Sequence, residues 1–169
     1  SDVPAAGGIL AQALARLGGR VTRAPLVIPD TAAKVSLLRF EKVPANEHDL
    51  TELVRWQVRK SAPFPIEDAV LSYSPAAATS DGGREFVVTM ARADFIAQYE
   101  EVCARAGVHA GLIDISTFSI INGVLSGASP GGDWLLVHAT EGYTTLAVLR
   151  DSELIFYRHR EPGSEGTLA

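Results

Sequence analysis

At 169 residues the chain has room for about one ordinary domain and, at this size, buries roughly 70% of the surface it exposes when unfolded. Its 47% hydrophobic and 21% charged content is that of a globular protein and excludes disordered, collagenous and coiled-coil chains. Fifteen Lys and Arg against 20 Asp and Glu leave a net charge of −5, with no basic stripe to displace counterions from phosphates, so no nucleic-acid partner is expected.

Residues 9–17 read as a short amphipathic helix, with Ile9, Leu10, Ala13, Leu14 and Leu17 on one face and Gly18-Gly19 as its stop. Two strands are expected next, at 25–29, fenced by prolines, and at 34–41, joined through Asp30-Thr31. Asn46 offers a side-chain cap to a helix over 47–60, whose acidic first turn and basic last turn both suit the helix dipole. Its apolar arc is Leu50, Leu53, Val54, Gln57 and Val58, and Trp56 falls outside it. Pro63-Phe64-Pro65 ends that helix, and Phe64, held between two restricted residues, is expected to be a buried anchor.

Strands at 69–74 and 85–91 then predict a hairpin around a Gly- and Ser-rich loop. A helix over 94–106 stops at Gly107, a strand covers 108–113, a helix 117–125 and a loop 126–132. Three strands follow, at 134–138, 144–149 and 154–160, before a polar, Gly-rich tail. The order predicts an α/β or α+β protein with mixed sheets rather than a doubly wound one, and both ends read as cut from a longer protein.

Catalytic patterns are not found. His48, His109, His138 and His159 stand singly, and surface or structural histidine is the reading for each. There is no nucleophile elbow and no Gly-rich phosphate loop of common spacing. Cys103 cannot form an internal disulfide, falls on an apolar helix face and reads as a small buried hydrophobe. No apolar run reaches the length of a spanning helix, and the first twenty residues do not form a secretion signal.

Alternation in the strands yields one further expectation. If Leu38, Phe40, Leu71, Tyr73, Phe86 and Val88 face the 47–60 helix, then Leu37, Val70 and Val87 point the other way, onto a face that this helix does not cover. That face suits either a docked partner segment, with Trp56 as a flanking aromatic, or a neighbouring part of the same chain.

Leu26-Val27-Ile28-Pro29-Asp30, followed by the run from Leu53-Val54-Arg55-Trp56 through Pro63-Phe64-Pro65-Ile66-Glu67-Asp68-Ala69, resembles the type IV pilus assembly protein PilM family. The tail Thr144-Thr145-Leu146-Ala147-Val148-Leu149-Arg150-Asp151 looks like that family's second phosphate hairpin. The resemblance implies a partial actin-like, ribonuclease-H-like fold: residues 1–33 and 92–169 belong to the core, and 34–91 form an inserted strand-helix-strand-strand subdomain. It also implies a cytoplasmic protein on the inner membrane's cytoplasmic face, scaffolding pilus assembly through the N-terminal segment of a PilN-like membrane protein, with self-association a second option. Leu37, Trp56, Val70 and Val87 are the expected partner surface. Thr144 and Thr145 are what remains of a phosphate site, because the first phosphate hairpin is absent and His138 and Thr140 replace the second hairpin's acidic residue and glycine. No cofactor and no enzymatic activity are therefore expected of this chain. The alternatives are a nucleotide-binding ATPase, with ATP held in the full-length protein, and a secretion-platform protein like GspL.

Overall fold

The computed structural model describes residues 2–18, 21–78, 82–128 and 130–163, so Gly19 of the expected helix stop, the middle of the 75–84 loop, Ser129 and the end of the polar tail lie outside the described residues. Its elements, in chain order, are α1 (Val3–Ala15), β1 (Arg23–Ile28), β2 (Ala33–Phe40), α2 (Glu47–Arg59), β3 (Ala69–Ala78), β4 (Arg84–Arg92), α3 (Ala93–Arg105), β5 (His109–Ile115), α4 (Ser116–Gly127), β6 (Asp133–Ala139), β7 (Thr144–Arg150) and β8 (Glu153–Arg160). Single 3-10 turns at Asp30–Ala32 and Ile66–Asp68 lead into β2 and β3. The strands form three small sheets: parallel β1-β5, antiparallel β2-β4-β3 and antiparallel β6-β7-β8. The protein is thus a mixed α/β fold, as the element order implies.

The α2 helix forms as its sequence dictates. Asn46 Oδ1 accepts the His48 amide at 2.9 Å, and Glu47 and Asp49 fill the first turn. Val54 and Val58 are buried with Phe40, Ile66, Phe86, Val88 and Met90, and Leu38, Leu50, Leu53, Leu71 and Tyr73 pack around them. Gln57, expected on this arc, is exposed. The half-buried Arg55 instead reaches back to donate to the Ile66 carbonyl at 3.2 Å, pinning the Pro-Phe-Pro turn. Phe64 is only half-buried, and Ile66 at 5% exposure is the side chain that docks the turn.

Two early elements differ from expectation. The first helix starts at Val3, capped by Asp2 with Pro4 inside its first turn, and turns Gly7 inward while Ile9 and Leu17 stay exposed. A methyl group on Gly7 would lie 2.8 Å from the Arg105 Cβ, so α1 crosses α3 with its backbone against that side chain. Close approach, not apolar periodicity, selects the buried face. Strand β1 likewise takes Pro25 inside it, at a register shift between Ala24 and Pro25 where a missing amide does no harm. Although β1 and β2 are consecutive, they lie in different sheets, and β1 pairs with distant β5.

The second face of β2-β4-β3 is covered in part from within the chain, while Val70 on that face stays exposed. Val87 joins Ile121, Ala147, Leu149 and Leu154 in a second core, and Val35, Leu37, Ala76, Phe118 and Trp134 pack against it. That core is reached because α4 and the β6-β7-β8 sheet fold back over the inserted strands, a placement that alternation within β2 and β4 does not contain.

Candidate functional site

The 3-10 turn after β1 carries Asp30 into full burial, where it meets two equally buried threonines. Asp30 Oδ1 accepts the Thr117 amide at 2.9 Å, at the start of α4, and Oδ2 accepts both the Thr117 hydroxyl and, at 2.7 Å, the Thr145 hydroxyl. Each hydroxyl also lies against an imidazole: Thr117 Oγ1 is 2.9 Å from His138 Nδ1, and Thr145 Oγ1 is 3.1 Å from His159 Nδ1. An ionised carboxylate can only accept, so each threonine proton is committed to Asp30. Both histidines must therefore donate from Nδ1. The Tyr143 ring, 8% exposed, sits between them with centroids 5.4 Å from His138 and 5.1 Å from His159. Burial, with the Asp30 charge adding, pushes the nearby Tyr157 phenol up. The network holds α4, β6, β7 and β8 to the end of β1.

The β6-β7 turn satisfies its own backbone. Thr140 Oγ1 accepts the amides of Gly142 and Tyr143 at 3.2 and 3.1 Å, and the Thr140 amide donates to the Tyr143 carbonyl at 2.9 Å. Those two amides are the groups that a phosphate would need free, since anion-binding turns work by presenting unpaired N–H groups. Among the described residues no group of three or more His, Cys, Asp or Glu side chains is arranged to hold a metal ion. Cys103 is buried, and burial, with Glu100 adding, pushes its thiol up, away from reactivity.

A different feature lies between the inserted sheet and the β5-α4 corner. A cavity of about 440 Å³ is lined by Val70, Ser72, Thr89, Leu112 and Asp114 among others, and it meets a second, of about 260 Å³, at Ser74, Val87, Asp114, Phe118 and Asn122. Val70 and Leu112 are 46% and 61% exposed, so two large aliphatic side chains border the opening. Asp114 stands where the cavities join, its carboxylate accepting its neighbour Ile115's amide at 2.9 Å and the Ser119 hydroxyl at 3.3 Å. Burial raises its pKa above the ordinary 3.8, the Asp30 charge adds to the rise, and those two hydrogen bonds oppose it. A raised value means that the folded chain binds this proton more tightly than the unfolded chain. Ionised Asp114 therefore costs stability above its folded pKa, and the cost disappears below the unfolded one. Asp114→Asn is expected to raise the melting temperature at pH 7, with the gain shrinking as pH falls toward 4. A variant that melts below the parent at pH 7 would refute this account.

The profile of a family described as type IV pilus assembly protein PilM matches residues 2–167. The chain belongs to that family. Among solved structures, a "PilM-PilN type IV pilus biogenesis complex" matches with a TM-score of 0.84 at 21% identity, covering 95% of this chain and 49% of that chain. The PilM-family chain described here thus spans about half the length of its solved counterpart and shares its fold. No protein of curated function matches.

Within this PilM-family chain the residues singled out from sequence fall in different places. Thr145 is fully buried with its hydroxyl on Asp30, whereas Thr144 is exposed at the start of β7. Val70 and Val87 both line the groove, Val87 as its floor, but Leu37 is taken into the second core. Trp56 is 60% exposed on α2, beneath the Lys60 ammonium at 5.6 Å, and α2 covers the opposite face of the sheet, so Trp56 does not flank the groove. Asp30, Thr117 and Asp114 carry no motif that marks them as site residues in the sequence. Asp30 had a sequence signal, a carboxylate directly after the apolar Leu26-Val27-Ile28-Pro29, but its partners lie 87 and 115 residues away.

Proposed function

We propose that this PilM-family protein is a non-catalytic scaffold of a type IV pilus assembly platform, working on the cytoplasmic face of the inner membrane and held there by the N-terminal segment of a PilN-like membrane protein. The observation that carries this reading is the family match over residues 2–167. The fold shared with a chain of a PilM-PilN complex supports the choice of partner. Among the described residues no helix is long and apolar enough to cross a membrane, which suits attachment through a partner. Absence of catalysis is supported by the β6-β7 turn, where Thr140 occupies the amides and Tyr143 and the two histidines pack beside the buried carboxylate.

Calorimetric titration with Mg-ATP is expected to reveal no site tighter than about 10 μM, roughly −7 kcal/mol. A tighter constant, or hydrolysis above background, would favour the nucleotide-binding reading instead. The scaffold reading itself is tested by titrating the chain with the N-terminal segment of its host's PilN-like protein, where saturable binding is expected and its absence removes the partner.

A further inference from the structure

We propose that the outer face of the β6-β7-β8 sheet docks a second copy of this chain, the two sheets lying face to face with their strands running in opposite directions. This goes beyond the scaffold reading and does not depend on a PilN-like partner. The inner face of the sheet is spent on the second core, where Ala147, Leu149 and Leu154 are buried. Alternation therefore turns Leu135, Val137, Leu146, Val148 and Phe156 outward. The register sets them side by side: Leu135 pairs with Val148 and Val148 with Phe156 in one row across the sheet, and Val137 pairs with Leu146 in the next. Leu135 and Val137 are more than half exposed, and Phe156 is exposed beside them. A single exposed aliphatic is ordinary on a protein surface, but adjoining rows of them make a continuous apolar patch of the kind that marks an interface.

Charge identifies the occupant. Asp151 and Glu153 stand at one end of the face, beside an Arg150 that Asp133 already holds at 2.8 and 2.9 Å, whereas Arg158 and Arg160 stand at the other end. A partner of a single sign, or an anionic lipid surface, would be attracted at one end and repelled at the other. A second copy, rotated about a two-fold axis that lies in the interface and crosses the strands, satisfies both ends at once. Its aliphatic rows cover those of the first copy, its arginine end comes over Asp151 and Glu153, and its acidic end comes over Arg158 and Arg160. Sheets pack face to face with nearly aligned strands about 10 Å apart, a spacing that side chains from both faces fill.

Sedimentation equilibrium of the 169-residue chain at increasing concentration tests the proposal. The parent is expected to show a reversible monomer-dimer equilibrium, and Leu135→Lys to weaken it at least roughly tenfold while melting as the parent does. Should Leu135→Lys melt early, Val137→Lys reads the same contact. Two charge reversals test the geometry. Glu153→Arg and Arg158→Glu, each alone, are expected to weaken self-association because like charges then face each other, whereas an equimolar mixture of the two variants is expected to associate as tightly as the parent. Raising the salt should shrink the difference between each reversal and the parent. Melting curves establish that the variants are folded. A parent that stays monomeric at every concentration, folded lysine variants that associate as the parent does, or a mixture that associates no more tightly than its components overturns the inference. A monomeric parent would leave this face to the half of the solved counterpart that the chain does not span.

Discussion

Asp30→Ala is expected to lower stability by about 3–5 kcal/mol, a fall in melting temperature on the order of 10 °C for a chain of this size. Asp30 is wholly buried and accepts one amide and two hydroxyls, so its removal strands the buried Thr117 amide and leaves each threonine hydroxyl with its histidine alone. Asp30→Asn should cost far less, because its oxygen still accepts the Thr117 amide while its new amino group donates to hydroxyls that can turn round. That reversal has its own signature. Each threonine would then donate to its histidine, shifting His138 and His159 from Nδ1 to Nε2 protonation, which nitrogen-15 chemical shifts report directly. If Ala and Asn melt alike, the carboxylate is a bystander and the network holds nothing together.

The second large effect is expected at Phe86, in the middle strand of the inserted sheet. It is 3% exposed and meets Phe40 and Tyr73 edge-on, with ring centroids 5.8 and 6.1 Å away. Phe86→Ala should cost about 3–5 kcal/mol, the range for truncating a buried aromatic. Phe64→Ala makes the informative comparison. Half-buried at the turn after α2, Phe64 should cost about half as much, and equal losses in chemical denaturation would mean that the turn, not the sheet, carries the core.

Local signals carried α2 and α3 faithfully, because a cap at Asn46, a stop at Gly107 and apolar spacing act within one or two turns. The two faces of the inserted sheet were legible too, since alternation is a property of each strand by itself: Phe86 and Val88 meet α2 and Val87 points away. What covers Val87 was not legible, because Ile121, Leu149 and Leu154 arrive from elements far along the chain. The same limit hid the site. His138 and His159 stand singly in sequence, and only the pairing of β6 and β8 on either side of β7 brings them around Thr145 and Asp30. The groove depends on β3, β5 and α4 meeting, and Asp114 reads in sequence as an ordinary polar residue before a helix. Family resemblance supplied the fold for the same reason, since it encodes long-range pairings that periodicity cannot.

The register of the inserted sheet has a consequence for how the rest of the chain closes. Ala33, the first residue of β2, is paired with Ala91 near the end of β4, so the segment leaves and returns at neighbouring points. Strands β1 and β5 must find each other across that whole segment, from Arg23 to His109. The entropy of closing a loop grows only with the logarithm of its length, and a folded insertion with adjacent ends shortens the loop that remains to be closed. To β1 and β5 the β2-β4-β3 sheet between them is therefore a short splice. Residues can be added between β3 and β4, at the far end of the hairpin, without lengthening the path that the parallel pair has to close.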